Sequence, residues 1–62
     1  MSCNLLDIIQ INKYGNLAGY IDGEFYHVTY KHPQYSDLMQ ARAKDDVDAF
    51  IRIYRENVVA IP

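Results

Sequence analysis

The sequence predicts an α+β fold in which a three-stranded antiparallel β-meander is followed by two short α-helices and an extended C-terminal tail. Three observations predict it: an Asp-Gly turn between two β-prone runs, two helically spaced apolar stripes after Pro33, and an apolar, β-branched end. No linker, repeat or low-complexity stretch interrupts the 62 residues. Residues 1–62 are therefore interpreted as a single small domain.

The three predicted strands occupy the first half of the chain. The run LLDIIQI at 5–11 is rich in Ile and typical of a strand, and KYGN at 13–16 is a turn signal because Gly15 and Asn16 tolerate positive φ. LAGYI should return as the second strand. The pair Asp22–Gly23 is typical of a two-residue type I′ turn, which would start the third strand, EFYHVTY.

A two-residue loop also fixes the register of this hairpin. The predicted pairs are Ile21 with Glu24, Tyr20 with Phe25, Gly19 with Tyr26, Ala18 with His27, and Leu17 with Val28. Directly opposed residues share a face of the sheet. The face suited to the core carries Leu17, Ile21, Tyr26, Val28 and Tyr30. The other face carries Tyr20, Phe25, His27 and Thr29.

Two helices are predicted after the sheet, because Pro33 cannot donate to a β-ladder and suits a first helical turn. The first has an apolar stripe of Tyr35, Leu38 and Met39, with Arg42 and Lys44 at its C-terminal end. The second has the stripe Val47, Phe50, Ile51 and Tyr54, and either Asp45 or Asp46 can cap it. The sequence VVAIP at the end is interpreted as an extended tail along a sheet edge or a neighbouring subunit.

Composition excludes several classes of protein. The formal net charge of −2 and the pI of about 5.4 argue against a general DNA, RNA or anionic-membrane binder. We expect no transmembrane segment and no secretion signal. The single cysteine, Cys3, excludes an internal disulfide and fits a reducing, cytosolic compartment. Cys3, His27 and His32 lack the paired spacing of a zinc site, so we expect neither a metal nor a cofactor.

Chain length favours self-association. A domain this small buries only about 60% of the surface of its unfolded chain. With 50% hydrophobic residues and six tyrosines, the apolar surface left over is a plausible subunit interface. We therefore expect a homo-oligomer, with any ligand-binding pocket between subunits, because so small a core cannot be hollowed out.

The candidate site is a set of aromatic and cationic side chains. Rings could sandwich a planar base while cations meet a phosphate. The residues are Tyr20, Phe25, His27, Lys31 and Arg42, with Arg52 as a weaker addition. The simpler interpretation of His27 is an ordinary sheet residue, and that of Arg52 is a solvated helix face. A catalytic set is lacking, since no nucleophile has a base at a plausible spacing, so we do not expect an enzyme.

The pattern GYIDGEFYHV followed by HPQYSDLMQARAKDDVDAFIRIY resembles a small domain of tailed phages, found alone and at the front of rIIB-like proteins. The resemblance covers residues 17–55. It is carried by Asp22, Gly23, Glu24, Val28, His32, Pro33, Tyr35, Ala41, Asp45, Asp46 and Phe50. This chain has Asp45 where that domain often has Gly.

Some tiny phage proteins of this kind resemble the anti-CBASS sponges, which oligomerise and sequester cyclic GMP-AMP. The resemblance implies a non-enzymatic, homo-oligomeric binder of a cyclic dinucleotide, acting in the cytoplasm of the infected bacterial host. An alternative is a protein-interaction module whose aromatic strand face covers and inhibits a host protein. A virion or assembly component is a third interpretation.

Overall fold

The computed structural model describes residues 4–58, so Cys3 and residues 59–62 of the expected tail lie outside the described part. In chain order the elements are α1 (Leu5–Ile8), β1 (Ile9–Ile11), β2 (Leu17–Ile21), β3 (Glu24–Val28), α2 (Tyr35–Ala43) and α3 (Val47–Asn57). The three strands form one antiparallel sheet in the order β1-β2-β3. The predicted α+β architecture, a meander followed by two helices, is confirmed.

The β2–β3 hairpin has the predicted register at all five pairs, from Ile21 opposite Glu24 to Leu17 opposite Val28. Its turn also has the expected geometry, with φ of 50° at Asp22 and 80° at Gly23. A type I′ turn requires positive φ at both central residues, and the Asp-Gly pair supplies this with little strain. Local turn chemistry therefore determines which side chains share each face.

The expectation that residues 5–11 form one strand is wrong for residues 5–8, which form the helical turn α1. Asn4 caps this turn, and its side-chain oxygen accepts from the N–H of Asp7 at 3.2 Å. The N–H of Leu5 donates to the carboxylate of Asp45, 2.9 Å away and 40 residues later in the chain. These caps satisfy N–H groups at the start of a helix and so stabilise a turn of only four residues.

The junction of α2 and α3 decides between the two candidate caps. The N–H of Asp46 donates to the carbonyl of Ala41 at 2.9 Å and that of Asp45 to Arg42 at 3.1 Å, which is a Schellman ending. Asp45 has the left-handed φ of 57° that this ending requires. Asp46 is the N-cap of α3, since its carboxylate accepts from the N–H of Ala49 at 3.1 Å.

The core lies between the inner face of the sheet and the helices. Its fully buried large side chains are Tyr26, Phe50, Leu5, Ile9, Leu17, Leu38 and Val28. The ring of Tyr26 meets the ring of Tyr54 edge-on at 4.7 Å and that of Phe50 at 6.0 Å. Both predicted helical stripes therefore face the core, since Leu38, Phe50 and Tyr54 are buried and the other stripe residues pack against them.

Tyr30 does not belong to this core, although strand alternation placed it there. Its side chain is 54% exposed. The third strand ends at Val28, and the N–H of His32 donates to the carbonyl of Thr29 at 3.0 Å, which turns the chain out of the sheet. Alternation of faces holds only while the backbone stays extended, so Tyr30 lies outside the pattern.

Candidate ligand-binding face

Three rings lie together on the outer face of the sheet. The centroids of Tyr20 and Phe25 are 5.1 Å apart, and those of Phe25 and His27 are 6.1 Å apart with an interplanar angle of 15°. Tyr20 is 62% exposed and Phe25 is 51% exposed. We call these three residues the aromatic face. It is a continuous, solvent-facing platform of rings, as the predicted register implied.

A hydroxyl group covers part of the β3 edge. The Tyr54 hydroxyl accepts from the N–H of His27 at 3.3 Å and donates to the carbonyl of the same residue at 3.5 Å. In an antiparallel pair, every second residue directs its N–H and C=O groups away from the partner strand. Phe25, two residues before His27, therefore also directs its backbone groups away from β2. A partner strand could therefore pair with this edge only beside Phe25, which makes edge-to-edge association unfavourable.

Arg42 covers the opposite edge of the sheet rather than meeting the aromatic face. Its Nε donates to the carbonyl of Ile9, and its terminal nitrogen donates to that of Leu6 at 3.4 Å. The strand β1 is separated from β3 by β2, which places this contact about 10 Å from the strand that carries Phe25 and His27. In this arrangement Arg42 holds α1 and β1 against α2.

The other two candidate cations also lie apart from the aromatic face. The Nζ of Lys31 lies 5.8 Å from the ring centroid of Tyr30, beyond the end of β3. Arg52 is exposed on α3. The structure thus brings together the three predicted rings, Tyr20, Phe25 and His27, and none of the three predicted cations lies over one of these rings.

A second aromatic group lies at the end of the sheet opposite the Asp22–Gly23 turn. Tyr14 and Tyr30 are exposed there, with the Nζ of Lys13 5.1 Å from the Tyr14 ring centroid and Lys31 beside Tyr30. Of these four residues, only Lys31 was among the predicted site residues, and Tyr30 was predicted to lie in the core. The sequence feature that could have identified this group is a Lys next to a Tyr in each of two loops, one before β2 and one after β3.

The hairpin tip is fastened to α3 by a polar chain. The Tyr26 hydroxyl donates to the Glu24 carboxylate at 3.1 Å, and the same oxygen accepts from Arg55 at 3.2 Å. Burial raises the pKa of the Tyr26 hydroxyl above its usual value, and the hydrogen bond and negative charge of Glu24 add to the rise. Arg55 and Glu24 are exposed, so their ion pair adds little stability by itself.

A shallow groove of about 190 Å³ lies between α2 and α3, lined by Asp37, Gln40, Ala41, Lys44, Asp46, Ala49 and Ile53. It is smaller than the roughly 300–1,000 Å³ of typical ligand pockets, and it contains none of the predicted site residues.

Over the same residues, no group of His, Cys, Asp and Glu side chains has the arrangement of a metal site. The helices of the described part are also too short and too polar to cross a membrane.

The chain matches no protein-family model, no curated protein and no solved structure. The fold and the site define the class of protein: a small α+β domain with an exposed aromatic face on a three-stranded sheet. Any function has to be argued from that face and the groups around it.

Proposed function

We propose that this protein is a non-enzymatic, homo-oligomeric binder that sequesters a cyclic dinucleotide of the cyclic GMP-AMP type inside an infected bacterium. The observation that carries the proposal is the exposed platform of Tyr20, Phe25 and His27. Stacking of a base on an aromatic side chain tolerates any base and needs only an accessible ring face. The resemblance to tailed-phage domains supports the biological setting.

Binding of a cyclic dinucleotide by stacking and phosphate contacts is energetically feasible. Each stacked base contributes about 1–3 kcal/mol, and each hydrogen bond to a charged group contributes about 1.5–3 kcal/mol. Two stacked bases and two charged phosphate contacts sum to roughly 5–12 kcal/mol before the costs of binding, against about 8 kcal/mol for a micromolar complex. A binder of this strength lowers the free messenger when it outnumbers the messenger and holds it more tightly than the host effector does.

The proposal requires a second copy of the chain. The aromatic face is an exposed surface of the sheet, so a ligand stacked on it needs a partner to cover its other side. The groove between the helices, of about 190 Å³, is too small to enclose a dinucleotide instead. Tyr54 and Arg42 obstruct the two edges of the sheet at His27 and Ile9. Face-to-face association is therefore favoured over strand addition.

The binding test is calorimetry with a panel of cyclic dinucleotides at tens of micromolar protein. We expect heat of binding for at least one member and a loss of about tenfold or more in affinity for Phe25→Ala, because one stacking surface is removed. Leu6→Ala truncates an exposed apolar side chain elsewhere and should leave affinity unchanged. Absence of heat with every member of the panel would reject the proposal.

The oligomer is tested separately by native mass spectrometry, which reports subunit number and retained ligand together. We expect a dimer or larger assembly whose population rises when the cyclic dinucleotide is added. A chain that stays folded and monomeric with ligand bound would show that no second copy is needed.

A second function is favoured by one observation: within residues 4–58 no Lys or Arg lies over a ring of the aromatic face. The cores of protein interfaces are rich in aromatic residues and poor in charge. The face therefore also suits a module that covers and inhibits a host protein. Capture of one stoichiometric host protein from bacterial lysate by the parent chain, and not by Phe25→Ala, would favour this function over sequestration.

A further inference from the structure

Two lysine and tyrosine pairs lie at one end of the sheet. Lys13 and Tyr14 belong to the β1–β2 loop, and Tyr30 and Lys31 follow β3. Each ammonium group lies near the ring of its neighbour, at 5.1 Å for Lys13 and 5.8 Å for Lys31. We call these four residues the basic end of the sheet.

Hydrogen bonds hold the two loops of the basic end in fixed positions relative to each other. The side-chain oxygen of Asn16 accepts from the N–H of Tyr30 at 3.0 Å, which joins one loop to the other. The side-chain oxygen of Asn12 accepts from the N–H groups of Tyr14 at 2.9 Å and Asn16 at 3.1 Å. The Tyr35 hydroxyl donates to the carbonyl of Gly15 at 2.7 Å, which joins the first loop to α2. The backbone positions of both pairs are thus set before any ligand binds.

The charge distribution distinguishes this end from the rest of an acidic chain. Between residues 8 and 36 the acidic residues are Asp22 and Glu24, both at the hairpin tip, and the lysines are Lys13 and Lys31. The five residues of β2 separate the two ends by about 17 Å. Glu24 is also paired with Arg55. An anion approaching the sheet therefore meets its attractive charge at the basic end.

We propose that the basic end binds a nucleotide, with a base stacked on Tyr14 or Tyr30 and a phosphate held by Lys13 and Lys31. A cation over an exposed ring is held weakly, whereas a lysine on a phosphate makes a stronger, charge-assisted bond, so the lysines can exchange one partner for the other. This inference goes beyond the proposed function, because it assigns nucleotide binding to a second surface that holds both base and phosphate apart from the aromatic face.

The test is titration of the ¹⁵N-labelled full chain with guanosine 5′-monophosphate at millimolar concentration, followed by amide chemical shifts. We expect the largest changes at residues 13–16 and 29–31. The double variant Lys13→Ala/Lys31→Ala should weaken binding about tenfold or more, and at least one of Tyr14→Leu and Tyr30→Leu should weaken it without changing charge. Lys44→Ala, which removes an exposed lysine from the end of α2, is the matched control and should bind like the parent.

Shift changes centred on Tyr20, Phe25 and His27, no shift changes at all, or a double variant that binds as tightly as Lys44→Ala would overturn the inference. Calorimetry with the cyclic dinucleotide panel separates it from the proposed function. If the parent binds a cyclic dinucleotide but guanosine monophosphate shifts no residue of the basic end, this inference fails and sequestration stands. If guanosine monophosphate maps to the basic end but no cyclic dinucleotide binds, sequestration fails and this inference stands.

Discussion

The hydroxyl group of Tyr54 satisfies both backbone groups of His27, accepting from its N–H at 3.3 Å and donating to its carbonyl at 3.5 Å. A residue of α3 thereby covers the outer edge of β3, directly behind a ring of the aromatic face. The contact links helix packing to the surface on which the proposed ligand stacks. It also protects an edge that is otherwise open to another strand.

Tyr54→Phe should keep the ring packed against Tyr26 while removing the hydroxyl. We expect a loss of about 1 kcal/mol in the free energy of unfolding and faster amide exchange at His27, because a typical hydrogen bond contributes that much. Urea denaturation and hydrogen exchange measure the two effects. Tyr20→Phe, which removes the hydroxyl of an exposed tyrosine, is the control, and equal exchange at His27 in both variants would contradict the assignment.

Gly19→Ala should be among the most damaging single substitutions. A Cβ at this position would lie 1.9 Å from the carbonyl oxygen of Ile8, and backbone cannot move aside as a flexible side chain can. We expect a loss of about 3 kcal/mol or more, enough to unfold much of so small a domain. Circular dichroism and urea denaturation measure it.

Gly23→Ala separates steric overlap from backbone strain. Its added Cβ meets no atom within 4 Å, but its φ of 80° is unfavourable for alanine. The expected loss is about 1–2 kcal/mol. A Gly19→Ala protein that is as stable as Gly23→Ala would refute the close packing of α1 on β2.

Arg42→Ala tests whether this residue is structural or part of the ligand site. Removing its guanidinium leaves the carbonyls of Ile9 and Leu6 without their charged donor, so we expect a loss of about 1.5–3 kcal/mol and faster exchange in β1. Arg52→Ala, on the exposed side of α3, should change stability by less than about 0.5 kcal/mol. If Arg42→Ala instead keeps full stability and loses affinity for the ligand, Arg42 belongs to the site.

The raised pKa of Tyr26 predicts a loss of stability at high pH. Its pKa in the folded chain is raised above the usual 10.0 by burial first and by Glu24 second. A pKa raised by folding adds stability that is complete below about pH 10 and is lost as the pH rises through the folded value. Urea denaturation between about pH 9 and 11.5 should show this decline, and Tyr26→Phe should flatten it. An unchanged slope in Tyr26→Phe would assign the decline to other groups.

The hairpin and its faces could be predicted because their causes are local. The Asp22–Gly23 turn sets the register, and the register sets which rings share the outer face. The turn at 5–8 could not be predicted, because it lies within the Ile-rich run 5–11, which fits a strand, and one of its caps, Asp45, is distant in the chain. Tertiary contacts override local propensity in this segment.

The candidate site could be predicted where it depends on local strand geometry, and not where it depends on tertiary packing. Alternation placed Tyr20, Phe25 and His27 together, and the structure confirms their proximity. The positions of Lys31, Arg42 and Arg52 depend on how loops and helices pack against the sheet. Sequence spacing carries no information on that packing, so the basic end and the carbonyl contacts of Arg42 became visible only in three dimensions.

The bond from the Leu5 amide to the Asp45 carboxylate spans 40 residues, so the α1 turn lacks one of its caps until residue 45 has been synthesised. At about 5–20 residues per second, the ribosome needs roughly 2–8 s to make that stretch. Throughout that interval Leu5 and Ile9 lack the helices that cover them. Closure of the core therefore waits for the synthesis of α2 and α3, which follow the hairpin in the chain.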